Sequence, residues 1–117
     1  MLPRDRDLAY LWDMREAARL IQAFIQGATY QHFVSDKMMR SAVERQLEIM
    51  GEAARRVSIE FQLEHPEIPW RQVIGLRNLL AHEYGEVQVD RIWSIINESM
   101  GELAARLDVL IPPIEGE

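Results

Sequence analysis

The chain has 117 residues, 48% of them hydrophobic and 27% charged, with no cysteine. That length suits one domain with one modest core, and the composition lies outside the disordered, fibrous and collagen-like classes. The formal net charge of −6 argues against a protein that coats nucleic acid through a broad basic surface.

No apolar run approaches the ~18 residues that a membrane span needs. The opening Met1-Leu2-Pro3-Arg4-Asp5-Arg6-Asp7 reaches charge at once and has no apolar core of a secretory signal, so the cytoplasm is the expected location. The positive charge is unusual in kind. Of 13 basic residues only Lys37 is a lysine; the others are arginines, whose planar fork of donors suits carboxylates and phosphates. Solvated helix faces and ion pairs account for most of them.

The first helix is predicted from about Arg4 to Gln26. Leu8, Leu11, Trp12, Ala18, Ile21 and Phe24-Ile25 recur at three- and four-residue steps, with charge elsewhere on the wheel. Pro3 suits its start and Gly27 its stop. A polar-aromatic connector, Ala28 to Val34, leads to Ser35 as N-cap of the second helix, with Asp36 supporting its positive end. Met38, Met39, Ala42, Val43, Leu47, Met50, Ala53, Ala54 and Val57 form a wide apolar stripe there. This helix is expected to reach Phe61 or Leu63, with a break near Ser58. Gly51 inside it costs ~1 kcal/mol relative to alanine but lets another helix approach closely.

Glu64 to Pro69 reads as a loop, because prolines 66 and 69 cannot sit in a helix interior. Pro69 opens a short third helix through Trp70, Val73, Ile74, Leu76, Leu79 and Leu80, which Gly85 ends. After a connector, Glu86 to Val89, Asp90 caps the fourth helix, where Ile92, Trp93, Ile95, Ile96, Met100, Leu103, Ala104, Leu107 and Leu110 repeat with helical period. Pro112-Pro113 stops it. No segment alternates with period two between hairpin turns. The expected architecture is all-α: one domain over 1–111, an antiparallel bundle of four main helices, and a short tail over 112–117. Both long helices are apolar over more of their circumference than a small bundle can cover, which points to a two-fold homodimer.

Chemistry gathers between Trp70 and Gly85. Asn78 and His82 are i, i+4 neighbours. Arg77 lies about 140° from His82 around the wheel, and Tyr84, seven residues on, returns to its side if the helix persists. Arg77 can hold a phosphate through two donors, a histidine such as His82 transfers protons near neutral pH, and Asn78 can orient the imidazole or hold a phosphate oxygen. Such a set can cleave RNA without metal: a base takes the 2′-OH proton, the oxygen attacks phosphorus, an acid protonates the 5′-oxygen, and arginine stabilises the developing charge. One histidine cannot serve both sides of that phosphorus, whereas a dimer supplies a second Arg77/His82 pair. On spacing alone a blander alternative stays open, because cations near a helix C-terminus are favoured by its dipole and a tyrosine before Gly85 can be a packing residue.

Arg77-Asn78-Leu79-Leu80-Ala81-His82 resembles the R-x4-H signature of HEPN-domain ribonucleases, and His82-Glu83-Tyr84 extends it to the R-x4-H-x-Y form of HepT-like toxins. Ile49-Met50-Gly51-Glu52-Ala53-Ala54, Ile68-Pro69-Trp70 and the helix order are similar to the same family, so the resemblance covers about Asp7 to Leu110. It implies a HEPN-type bundle and the toxin half of a type VII toxin–antitoxin pair. It further implies a homodimer with Arg77 and His82 catalytic at the interface, Asn78 supporting, and Tyr84 accepting AMP from ATP through a nucleotidyltransferase antitoxin. Adenylate there would set negative charge and bulk beside Arg77.

His32 and His65 fall in connectors and are expected to face solvent. No metal site or cofactor is expected, since the Glu44, Glu48, Glu52 stripe lacks the Glu-x-x-His of di-metal bundles. That stripe is expected to pair with Arg40, Arg45, Arg55 or Arg56, with Glu52 lining the cleft. Two other readings compete with the ribonuclease: a non-catalytic helical dimer that docks a nucleotidyltransferase or nucleotide, and a purely structural dimer.

Overall fold

A computed structural model of the chain describes residues 3–82 and 86–113, with side chains over 5–80 and 88–113. These residues form helices and no strand. The helices are α1 (Pro3–Ile25), α2 (Tyr30–Ser35), α3 (Lys37–Arg56), α4 (Ile59–Glu64), α5 (Trp70–Ile74), α6 (Leu76–His82), α7 (Glu86–Glu98) and α8 (Met100–Leu110).

α1 lies most extensively on α3 and next on α8, and α5 and α6 cover the other side of α3. Asp7, near the start of α1, reaches Ser58 just beyond the end of α3, so these two helices run antiparallel. Arg15 pairs with Asp108, while Gln22 lies beside Gly101, so α1 and α8 are antiparallel as well. Leu11, Met14, Ala18 and Ile21 from α1 are fully buried against Val43, Leu47, Met50 and Ala54 from α3 and Leu107 from α8. Each set follows a three- or four-residue step, which keeps one face of its helix inward.

Gly27, at φ +76°, ends α1 in the left-handed region that glycine adopts without a Cβ penalty. Trp12 departs from expectation. It is 44% exposed, because the buried stripe runs through Leu11 and Met14 and leaves Trp12 one position off it. The connector after Gly27 contains α2, capped by the Thr29 hydroxyl on the His32 amide. Ser35 is therefore the last residue of α2, and Asp36, not Ser35, caps α3 by accepting from the Met39 amide. Met38, read into the apolar stripe, is 83% exposed because it precedes the first turn that packs on α1.

The break near Ser58 is real. Ser58 leaves the helical region (φ −59°, ψ 149°) and caps α4, with Asp7 accepting from both its amide (2.8 Å) and its hydroxyl (2.7 Å). Leu63 on α4 stays exposed. His65 is half-buried, not solvent-facing. Its ring stacks on Phe61 at 4.3 Å, its Nδ1 lies 3.2 Å from Glu67, and its carbonyl accepts the Trp70 indole N–H at 2.9 Å. That hydrogen bond ties the proline loop to the start of α5.

The third predicted helix is two segments that meet at Gly75, with i→i+4 hydrogen bonding continuing through it. The fourth likewise divides at Ser99 into α7 and α8, a bend where Ser99 and Gly101 lower helical preference. Asp90 does not cap a helix. It lies within α7 and accepts a hydrogen bond from the Tyr30 hydroxyl. No described helix is long and apolar enough to cross a membrane.

Candidate active site

The position of Arg77 follows from Gly51. A Cβ at Gly51 would stand 3.1 Å from the Arg77 Cγ and 3.2 Å from the Val73 carbonyl oxygen. The missing side chain lets α5 and α6 settle this closely on α3, and a Cβ would require them to give by a few tenths of an ångström. Leu76 and Leu79 are buried on the inner face of α6, which turns Arg77 and Asn78 outward to the exposed face.

Arg77 meets Glu52, the residue after that glycine. Its Nη1 donates to Glu52 Oε2 at 2.7 Å. The same carboxylate accepts from Arg55 Nη2 at 2.7 Å and Nε at 3.3 Å, and from Arg56 Nε at 2.8 Å. Three guanidinium groups therefore converge on one carboxylate. Hydrogen bonds from Arg55, then Arg56, hold the Glu52 carboxyl down at about 2, far below its ordinary value and against the opposing effect of burial. Arg55 and Arg56 are stabilised as cations in return, Arg56 also by the nearby Tyr10 on α1. This cluster forms one end of an open groove of about 580 Å³ between α1 and α3, which Arg45, Glu48 and Asp13 also line.

Of the residues singled out in the sequence, Arg77 and Asn78 stand side by side on α6. His82 closes that helix, four residues after Asn78, but its side chain lies outside the described residues. So does Tyr84 entirely, and with it the Gly85 stop. Glu52, expected to line the catalytic cleft, lines the α1–α3 groove beside Arg77. The expected pairing of the glutamate stripe holds for Glu52 and for Glu48, 3.4 Å from Arg45, whereas Arg40 donates to the Phe33 and Val34 carbonyls and burial raises the Glu44 carboxyl. The sequence reading treated Arg55 and Arg56 only as partners for that stripe and missed their convergence with Arg77. The available signal was Glu52 followed by basic residues at i+3 and i+4. Tyr10 and Asp13 carried no signal, because their place in the groove depends on the packing of α1 against α3.

Comparison with known proteins decides the family. The HepT-like ribonuclease profile matches residues 14–110. A Thermococcus cleftensis protein named probable ribonuclease HepT is 38% identical over 101 residues, 86% of this chain and 92% of its own. A Methanocaldococcus jannaschii protein with a provisional RNase name is 34% identical over 102 residues, 87% of this chain and 94% of its own. The chain belongs to the HepT-like ribonuclease family. No solved structure matches it significantly. A further relative from Caldanaerobacter subterraneus, also provisionally named an RNase, is 30% identical over 102 residues, 87% of this chain and 91% of its own. Membership makes this an enzyme of the ribonuclease class. The matched span takes in Gly51, Glu52, Arg55, Arg56 and the whole stretch from Arg77 to Tyr84, while Tyr10 and Asp13 precede it.

Proposed function

We propose that this HepT-like protein is a toxin that cleaves RNA without metal, at a site built from Arg77 and His82 and completed in a homodimer. A nucleotidyltransferase antitoxin silences it by transferring AMP to Tyr84. The observation that carries the reading is Arg77 itself, an exposed arginine clamped at the mouth of a groove and five residues before a histidine on the same helix, in a chain of ribonuclease family.

In the proposed reaction one His82 accepts the ribose 2′-OH proton as that oxygen attacks the adjacent phosphorus. The P–O5′ bond breaks, and the His82 of the second copy protonates the departing 5′-oxygen. The products are a 2′,3′-cyclic phosphate and a 5′-hydroxyl. Arg77 stabilises the charge on the non-bridging oxygens, and Asn78 orients the imidazole or a phosphate oxygen. In silencing, the Tyr84 hydroxyl attacks the α-phosphorus of ATP, pyrophosphate leaves, and the adenylate stays near Arg77, where its charge excludes the RNA phosphate.

Induced expression without any partner tests this. Wild type and Tyr84→Phe arrest growth, whereas equally soluble Arg77→Ala and His82→Ala do not. A harmless wild type, or a fully toxic His82→Ala, removes the ribonuclease reading. The net charge of −6 favours the competing view of a non-catalytic docking module, which predicts that His82→Gln retains partner binding and every cellular effect.

A further inference from the structure

Arginines 45, 55, 56 and 77 line the α1–α3 groove against three carboxylates, those of Asp13, Glu48 and Glu52. The groove is therefore locally positive in a chain whose net charge is −6. Arg55 and Arg56 are each more than half exposed. Both donate to Glu52 Oε1 within 2.8 Å, and Arg77 donates to Oε2 of the same carboxylate at 2.7 Å. An anion at this point is thus held from three sides. Arg45 lies further along α3, ten positions before Arg55 or ~15 Å at the helical rise, which gives the positive lining the length of a few nucleotides.

We propose that Arg55 and Arg56 form a binding subsite for a phosphate of single-stranded RNA next to the one being cleaved. The proposal rests on the ribonuclease reading. Glu52 is the internal anion that keeps the guanidinium groups gathered when RNA is absent. Incoming RNA draws Arg55 and Arg56 partly away from Glu52, and its backbone then runs along α3 toward Arg45. The subsite explains how a strongly acidic protein admits a polyanion: approach is confined to this groove. Arginine is suited to the task because its fork engages two phosphate oxygens at once.

The test is the affinity of a mixed-sequence 2′-O-methyl RNA octamer, which cannot be cleaved, measured across a salt series. Wild type is compared with Arg55→Gln/Arg56→Gln and with Arg19→Gln/Arg71→Gln, which removes the same charge from exposed arginines outside the groove. The groove variant is expected to bind roughly tenfold more weakly, with a log–log salt slope shallower by roughly 0.7, the value for one phosphate no longer neutralised. The control pair is expected to keep the wild-type slope. Equal losses in both pairs overturn the subsite, as does an octamer that wild type does not bind. Unchanged binding by the groove variant also overturns it and leaves these arginines as a surface for an acidic protein. Cleavage of unmodified RNA by wild type, run in parallel, judges the ribonuclease reading separately.

Discussion

Arg77 shares Glu52 with Arg55 and Arg56, so the carboxylate does two opposing things. It fixes one edge of the Arg77 guanidinium, leaving its other donors for phosphate, and it competes with phosphate for all three cations. Glu52→Gln keeps the size and a hydrogen-bond acceptor but removes the charge. Steady-state cleavage kinetics are expected to show KM and kcat falling together, the first because a competitor is gone and the second because Arg77 is less well oriented. A rise in KM would show that Glu52 does not compete with substrate. The pH behaviour follows from the depressed Glu52 carboxyl, at about 2 when folded. Its stabilising contribution is complete above its ordinary unfolded range and is lost only as pH falls toward about 2. Any acid limb in a cleavage profile above pH ~5 must then arise elsewhere, and Glu52→Gln should leave that limb in place.

At the scale of elements, the contact of α3 with α5 and α6 depends on Gly51. Gly51→Ala gains roughly 0.5–1 kcal/mol of helix preference and sets it against a Cβ pressed on the Val73 carbonyl and the Arg77 side chain. Stability should stay within about 1 kcal/mol of wild type by urea unfolding, while displacement of Arg77 lowers cleavage by roughly tenfold or more. A fully active Gly51→Ala would separate the close approach from function. The Asp7 contact with Ser58 works differently, since it joins the start of α1 to the cap of α4. Asp7→Ala leaves the Ser58 amide without its acceptor and should destabilise by about 1–3 kcal/mol, with little effect on RNA binding.

Legibility also differed by element. α1 and α3 could be read because long periodic stripes, Gly27 and the break at Ser58 are local signals. The short helices were harder: α2 is one capped turn hidden in a polar connector, and the bends at Gly75 and Ser99 keep the helical hydrogen-bond ladder, so hydrophobic period passes straight through them. Arg77 and Asn78 were legible as a motif on an exposed face. Their link to Arg55 and Arg56 was not, because it is made across two helices that only packing brings together.

For the whole molecule, stability rests on the seam where α1, α3 and α8 bury Leu11, Met14, Leu47, Met50 and Leu107. Leu47→Ala should cost about 2–5 kcal/mol, read as a lower urea midpoint with an unchanged slope. Large apolar side chains remain outside that seam, Trp12, Met38, Ile59 and Leu63 among them, and the proposed homodimer would cover some of this surface. Sedimentation equilibrium should return twice the 13.6 kDa chain mass; a monomer at micromolar concentration would deprive the reaction of its second His82.

The central claim is that Arg77 and His82 cleave RNA without metal, and cleavage of total cellular RNA by purified protein in excess EDTA tests it most directly. Wild type is expected to cut, leaving 2′,3′-cyclic phosphate and 5′-hydroxyl ends, while folded Arg77→Ala and His82→Ala lose roughly a hundredfold or more in rate. Loss of wild-type cleavage on chelation, or undiminished cleavage by His82→Ala, would contradict it.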